Sequence, residues 1–261
     1  MKASAPSVAE LHHISTRFGS HVIHEDISLR IDRGEIVALL GGSGSGKTTL
    51  MRVMALLHRP QSGTVKLFGN QVSYAGQDEF ELRRRMGYMF QFGALFGGLT
   101  VRHNVAMPLL EHTALSARLV GEIAQLKIQL VGLAPHVAGL MPSELSGGMI
   151  KRAAMARTLA LDPELLMLDE PGSGLDPASA RSLDELILRL RDALGLTVIM
   201  VTHDLISVQG IADRAILLHD GKILADDAPK KLLQSEDPTV RYFFQLKIER
   251  SHLVEDKEVT L

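Results

Sequence analysis

Between Val8 and Ile14, and again over Ile27-Ser28-Leu29-Arg30-Ile31, apolar and polar residues alternate. Successive side chains of a strand face opposite ways, so this pattern predicts half-buried antiparallel strands. The pattern then changes. Ile36-Val37-Ala38-Leu39-Leu40 is apolar throughout, as expected of a strand covered on both faces, and it runs into a Gly/Ser-rich stretch and a helix-like segment over Leu50 to Leu57. Ser62 to Gly69 and Met86 to Phe90 predict further strands, the second ending at Gln91. Helical periodicity takes over near Val101 to Leu110 and Leu119 to Val131, with breaks at Pro135 and Pro142. Another helix follows over Ile150 to Arg157. Leu165-Leu166-Met167-Leu168 and Thr197-Val198-Ile199-Met200-Val201 read as buried strands on either side of a helix over Leu183 to Leu194. Asp220-Gly221 between apolar runs marks a hairpin over 214–218 and 222–225, and closing helices are expected at 229–234 and 238–248.

The alternation of strands and helices predicts an α/β fold: a mixed sheet, antiparallel strands at the N-terminus and an inserted helical subdomain. The expected division is an α/β core over residues 1–91 and 145–245, a helical subdomain over 92–144 and a polar C-terminal tail over 246–261. With 261 residues, 46% of them hydrophobic, the chain can bury a sizeable core. It has no cysteine, so neither a disulfide framework nor a thiolate metal site is possible. Met1 to Pro6 lacks the apolar core of a signal peptide, and no apolar run approaches the roughly 18 residues of a membrane span. The expected location is therefore the cytoplasm. A net charge of −2 with interspersed signs argues against a nucleic-acid surface. The densest basic cluster, Arg83-Arg84-Arg85, follows Asp78 and Glu79 and reads as the end of a short solvated helix.

Candidate chemistry begins at Gly41-Gly42-Ser43-Gly44-Ser45-Gly46-Lys47-Thr48-Thr49. Gly41, Gly46, Lys47 and Thr48 satisfy the P-loop pattern in the strand-loop-helix setting that its mechanism needs. Glycines let successive N–H groups converge on phosphate oxygens, the helix adds its positive end, Lys47 reaches the β- and γ-phosphates, and the Thr48 hydroxyl suits Mg²⁺. Leu145-Ser146-Gly147-Gly148 opens a helix and offers a second anion-seeking N-terminus, although Ser146 alone reads as an N-cap. Asp169 and Glu170 emerge at a strand's carboxyl end, where ligands of α/β sheets bind. Alternation along a strand would send them to opposite faces, one toward a metal and one toward a water. His203 emerges at another strand end. His12, His13, His21, His24 and His58 read as structural, and Phe18 alone reads as a core or turn aromatic. Phe92-Gly93-Ala94-Leu95-Phe96 is apolar and glycine-rich for an exposed loop, either packed into the core or reserved for a partner.

Taken together, the P-loop at 41–49, Gln91, Leu145-Ser146-Gly147-Gly148, the acidic strand end at 165–170, Ser173-Gly174-Leu175-Asp176 and His203 resemble, in order and spacing, an ABC transporter nucleotide-binding subunit. The resemblance covers residues 7 to about 245. It implies ATP and Mg²⁺ as ligands, with Phe18 on adenine, Gly41 to Thr49 on the phosphates, and Thr48 and Gln91 on Mg²⁺, which Asp169 supports through water. It also implies that Glu170 polarises the attacking water, that His203 contacts the γ-phosphate, that Ser146, Gly147 and Gly148 close on ATP held by a second subunit of a homodimer, and that Asp176 links the two sites. Phe18 stands where tyrosine is usual, Met149 where glutamine is frequent, and Gly172 with Gly174 loosens the linker to Asp176.

Met141 to Arg152, Gln91 to Phe96 and Asp237 to Phe243 look like the ATP-binding subunit of the MCE-type phospholipid transporters. That likeness implies a motor on the cytoplasmic face of the inner membrane, moving phospholipid between the membranes of a Gram-negative envelope. Implied partners are a permease contacted through the helical subdomain, a periplasmic MCE-type lipid-binding subunit and an accessory cytoplasmic protein. Lipoprotein release, amino-acid or other small-solute transport is the alternative within the family. A DNA-acting ATPase would interpose a long coiled coil before the signature, a translation-associated protein would need two cassettes, and a non-catalytic module would not need Glu170 and His203.

Overall fold

Alternation near the N-terminus becomes two long strands, β1 (Ser7–Phe18) and β2 (His21–Asp32), paired antiparallel with Leu11 opposite Leu29 and Phe18 opposite His21. The computed structural model describes residues 6–74 and 77–244. It divides into two compact units, Met1–Val72 with Ile199–Leu261, and Ser73–Val198.

In the first unit, β4 (Ser62–Leu67) and β5 (Asn70–Gln71) complete an antiparallel sheet of order β2-β1-β4-β5. The uniformly apolar run forms β3 (Ile36–Gly41), buried at every residue, and it pairs parallel with β9 (Arg214–His219). β9 turns through Asp220-Gly221 into β10 (Lys222–Asp227), giving an antiparallel hairpin, so parallel and antiparallel pairings share one sheet. The helix α1 (Lys47–Met54) leaves the glycine-rich loop and buries Leu50, Met51, Val53 and Met54. Two short helices, α7 (Leu205–Ile211) and α8 (Pro229–Leu233), and a helical stretch over 238–244 that buries Val240 and Phe244, close the unit. The rest of the helix expected over 238–248, and the tail over 246–261, lie outside the described residues.

In the second unit, α2 (Gln77–Arg84) carries acids in its first turn and bases in its last, including the ion pair of Glu79 with Arg83. β6 (Met86–Met89) pairs parallel with β7 (Leu165–Asp169), Met89 opposite Leu168. Between them come α3 (Val101–His112), α4 (Ala117–Leu130), two 3₁₀ turns beginning at Pro135 and Pro142, and α5 (Gly147–Thr158). Thr100 and Ser116 cap α3 and α4 by accepting the N–H groups of His103 and Leu119. The last helix of this unit, α6 (Pro177–Leu194), starts six residues before the apolar period that announces it at Leu183. Asp176 as N-cap and Pro177 at the first helical position explain the earlier start. β8 (Thr197–Val201) contains the division between the units.

Candidate functional site

The expected site residues fall into both units, and each group has its own construction. In the first unit, the loop from Gly41 to Gly46 curls because glycine permits backbone that other residues resist. Gly46 has φ +93, and a Cβ there would lie 2.3 Å from His24 Nε2. Gly41 has φ +150, and a Cβ there would lie 2.4 Å from Ser45 Oγ and 2.5 Å from Leu218 O. Both positions therefore exclude side chains twice, by conformation and by space. Lys47 Nζ donates to Gly42 O (2.8 Å) and Gly41 O (3.1 Å), so the ammonium sits inside the curl of its own loop. That is where a phosphate-binding charge belongs.

Beneath the loop lies His24, fully buried, its Nδ1 hydrogen-bonded with Thr16 Oγ1 at 2.7 Å and its Nε2 beside Gly46. Burial draws its pKa down to about 4, so the ring is neutral at ordinary pH. Periodicity gave His24 only a structural role, and nothing in the sequence announced that it underlies Gly46. Phe18 is 53% exposed and its ring lies 5.0 Å from that of His58, so it belongs to the surface and not to the core. His203 is exposed between the end of β8 and Asp204, whose carboxylate caps α7 by accepting the N–H groups of Ile206 and Ser207.

In the second unit, Asp169 ends β7 and is buried, and Tyr88 Oη donates to its Oδ2 at 3.3 Å. Glu170 has left the strand: its φ is +48, and its carbonyl accepts the N–H of Ser173 (3.2 Å). The two acids are separated by a left-handed backbone turn rather than by strand alternation. Ser146 caps α5, its Oγ accepting the N–H of Met149, and Ser146 and Gly147 are exposed. The start of that helix packs near the loop before α6, with the added-Cβ position of Gly147 3.7 Å from Leu175 and that of Gly148 3.9 Å from Ser179 Oγ. Asp176 accepts the N–H of Ser179, and the hydrogen bonds from Ser179 hold its carboxyl below the usual aspartate range.

One turn into α5, Lys151 gathers the rest. Its Nζ donates to Gln91 O (2.5 Å), Glu170 O (3.2 Å) and Ser173 Oγ (3.4 Å), and burial lowers its pKa against the opposing charges of Glu170 and Asp169. Neither Lys151 nor Tyr88 was singled out by the sequence. A lysine on a helix face reads as solvated until the fold buries it.

The loop after Gln91 is also fixed by side chains reaching its backbone. Arg157 donates to Gly93 O and Ala94 O (both 2.8 Å), and the fully buried Asn104 accepts the N–H of Phe96 (2.7 Å) and donates to Phe96 O, Leu99 O and Thr100 O. Held in this way, the loop keeps Phe92 82% and Phe96 52% exposed. A groove of about 810 Å³ in this unit is lined by Phe80, Tyr88, Phe90, Phe96, Met107 and Pro108 among others.

For a metal, the expected positions carry only oxygen donors, the Thr48 hydroxyl in the first unit and the Gln91 amide and Asp169 carboxylate in the second, a type that suits Mg²⁺ and not a thiophilic ion. Among the described residues no cluster of three or more His, Cys, Asp or Glu side chains is placed to hold a metal. Mg²⁺, held largely by substrate phosphates and water, needs none. None of the described helices is long and apolar enough to cross a membrane.

Comparison with known proteins gives this construction a family. Residues 24–173 match the ABC transporter family. The intermembrane phospholipid transport system ATP-binding protein MlaF of Haemophilus influenzae is 42% identical over 240 residues, 92% of this chain and 90% of that one. MlaF of Escherichia coli K12 is 42% identical over 244 residues, 93% and 90% of the two chains. Among solved structures, the ATP-binding cassette MJ0796, dimeric and bound to ADP and Pi, superposes with a TM-score of 0.77 at 29% identity over 85% of this chain and 98% of that one. CbiO1 of Clostridium perfringens gives 0.81 at 26% identity over 96% and 99%. The chain thus belongs to the ABC transporter family as an ATPase cassette.

Proposed function

We propose that the chain is the ATP-hydrolysing subunit of a phospholipid transporter and acts as a head-to-tail homodimer on the cytoplasmic face of the inner membrane of a Gram-negative cell. The observation that carries the reading is the 42% identity to two MlaF proteins over more than nine-tenths of the chain. In this reading Phe18 stacks on adenine, Gly41 to Thr49 cradle the phosphates and Lys47 neutralises their charge. Thr48 and Gln91 would hold Mg²⁺, with Asp169 supporting it through water, and the bound ion would supply charge neutralisation across the phosphates. Glu170 orients and polarises the attacking water, and His203 contacts the γ-phosphate. Ser146 and Gly147, exposed in the single chain, close with Gly148 on the nucleotide of the partner subunit, and Asp176 connects the two sites. ATP then works through its differential affinity for closed and open dimers.

The helical segment over 92–144 faces the permease, and the groove beside Phe96 is of a size and apolarity to receive a short permease helix. A periplasmic MCE-type lipid-binding subunit and an accessory cytoplasmic protein complete the assembly. The test is to replace Phe96, whose ring borders the groove, with Glu. Phe96→Glu is expected to leave nucleotide binding by the isolated subunit within about twofold while abolishing co-purification with the permease and ATP-driven phospholipid transfer by the reconstituted assembly. Phospholipid-independent turnover of the assembly, with another solute co-purifying, overturns the substrate assignment.

A further inference from the structure

Lysine is among the residues least often buried, yet Lys151 is only 6% exposed. An ammonium has three protons to donate, and Gln91 O, Glu170 O and Ser173 Oγ take all three. Two of these acceptors are main-chain carbonyls of residues assigned above to the metal and to the attacking water. The third starts the loop that leads to Asp176.

Glu170 is where such a clamp is needed. A left-handed backbone is disfavoured for any residue with a Cβ, and a residue before proline, here Pro171, is drawn toward extended conformations. Strained backbone persists only where its surroundings overdetermine it. The N–H of Ser173 also reaches Glu170 O, but it comes from the same turn and would move with it. Lys151 comes from α5, so it ties the turn to a separate rigid element and, through Gln91 O, to the end of β6.

We propose that Lys151 is a positioning residue for ATP hydrolysis, clamping the Glu170 carbonyl so that the left-handed turn aims the Glu170 carboxylate before the nucleotide arrives. The inference rests on the assignment of the water-polarising role to Glu170. Because Ser146 caps α5 and Lys151 lies about one turn along that helix, a displacement of the Ser146-Gly147-Gly148 segment is carried to Glu170 of the same chain. Each half of the dimer's closing surface thereby reports to its own catalytic carboxylate.

Lys151→Met keeps the length and apolar stem of the side chain and deletes its donors. In the full chain it is expected to lower kcat for ATP by at least about tenfold, while equilibrium binding of a fluorescent ATP analogue stays within about threefold, because an aim error of an ångström costs turnover rather than ground-state affinity. The chain has no cysteine, which permits a chemical rescue. Lys151→Cys, alkylated with bromoethylamine in denaturant and refolded, regains an ammonium at nearly the native reach and is expected to recover most of the lost kcat.

A lysine that only supports the fold would instead lose affinity and kcat together, in step with a lowered melting temperature. That result, or a kcat for Lys151→Met within about threefold of the parent, overturns the proposal. If Lys151→Met does not fold, Lys151→Gln, which keeps two uncharged N–H donors at shorter reach, is read by the same criteria. Glu170→Gln is measured alongside. Turnover retained by Glu170→Gln removes the water-polarising assignment, and the positioning role falls with it. Turnover lost by Glu170→Gln but kept by Lys151→Met removes the positioning role alone.

Discussion

The P-loop of the first unit and the acidic strand end of the second handle charge by opposite means. Around Gly41 to Lys47 the construction is local: consecutive residues shape one curl, glycine supplies the backbone freedom, and the lysine bonds to carbonyls five and six positions away. Around Glu170 the construction is remote. A non-glycine residue takes the left-handed conformation, and its carbonyl is held by a lysine 19 positions earlier. Nearby, Arg157 holds the loop after Gln91 from more than 60 positions away. In the proposed assignment, ground-state phosphate charge is met by a site that short sequence can encode, and the aiming of a water is left to a network that forms only when distant segments pack.

The largest effects should separate these two means. Lys47→Ala is expected to weaken nucleotide binding by about a hundredfold, because a charge-assisted contact to ground-state phosphate is lost. Glu170→Gln is expected to leave binding within about threefold while kcat falls by about 10²-fold or more, since in its proposed role the carboxylate acts on water during the reaction. Equilibrium binding and steady-state turnover on the same samples check both, and turnover retained by Glu170→Gln would break the contrast.

The next effect tests the buried floor of the P-loop. Burial depresses the folded pKa of His24 from 6.5 to about 4, so the unfolded chain takes up a proton there at a higher pH than the native protein does. Stability from this residue is complete above about pH 6.5 and is lost as pH falls from 6.5 through 4, by about 3 kcal/mol in all. His24→Phe lacks that loss. Denaturant unfolding at pH 7 and pH 4.5 should therefore show the parent losing about 2 to 3 kcal/mol more than the variant, and parallel losses would refute a buried neutral ring. The smallest effect concerns the remote construction. Asn104→Ala leaves the N–H of Phe96 and three carbonyls without their buried partner, and it is expected to cost about 2 kcal/mol of unfolding free energy, with Phe96 more mobile by fluorine NMR of a labelled ring.

Much of this protein can be read from its residues in order. The strand alternation of β1 and β2, the buried run of β3, the P-loop, the cap at Ser146 and the acids at the end of β7 are short-range patterns, set by side-chain period, glycine freedom and orphan N–H groups at helix starts. Burial and long-range pairing are not written in any window of the chain. His24 gives no local sign that it will lie beneath Gly46, Lys151 none that it will be buried, and the loop bearing Phe92 and Phe96 was open between core and surface until Asn104 and Arg157 were seen to hold its backbone. The sequence by itself determined the family, the phosphate-binding loop and the order of elements, because those depend on neighbours along the chain. Only the tertiary structure decided that Glu170 turns left-handed, what clamps it and which aromatics stay exposed, because a buried donor must find its acceptors wherever packing brings them.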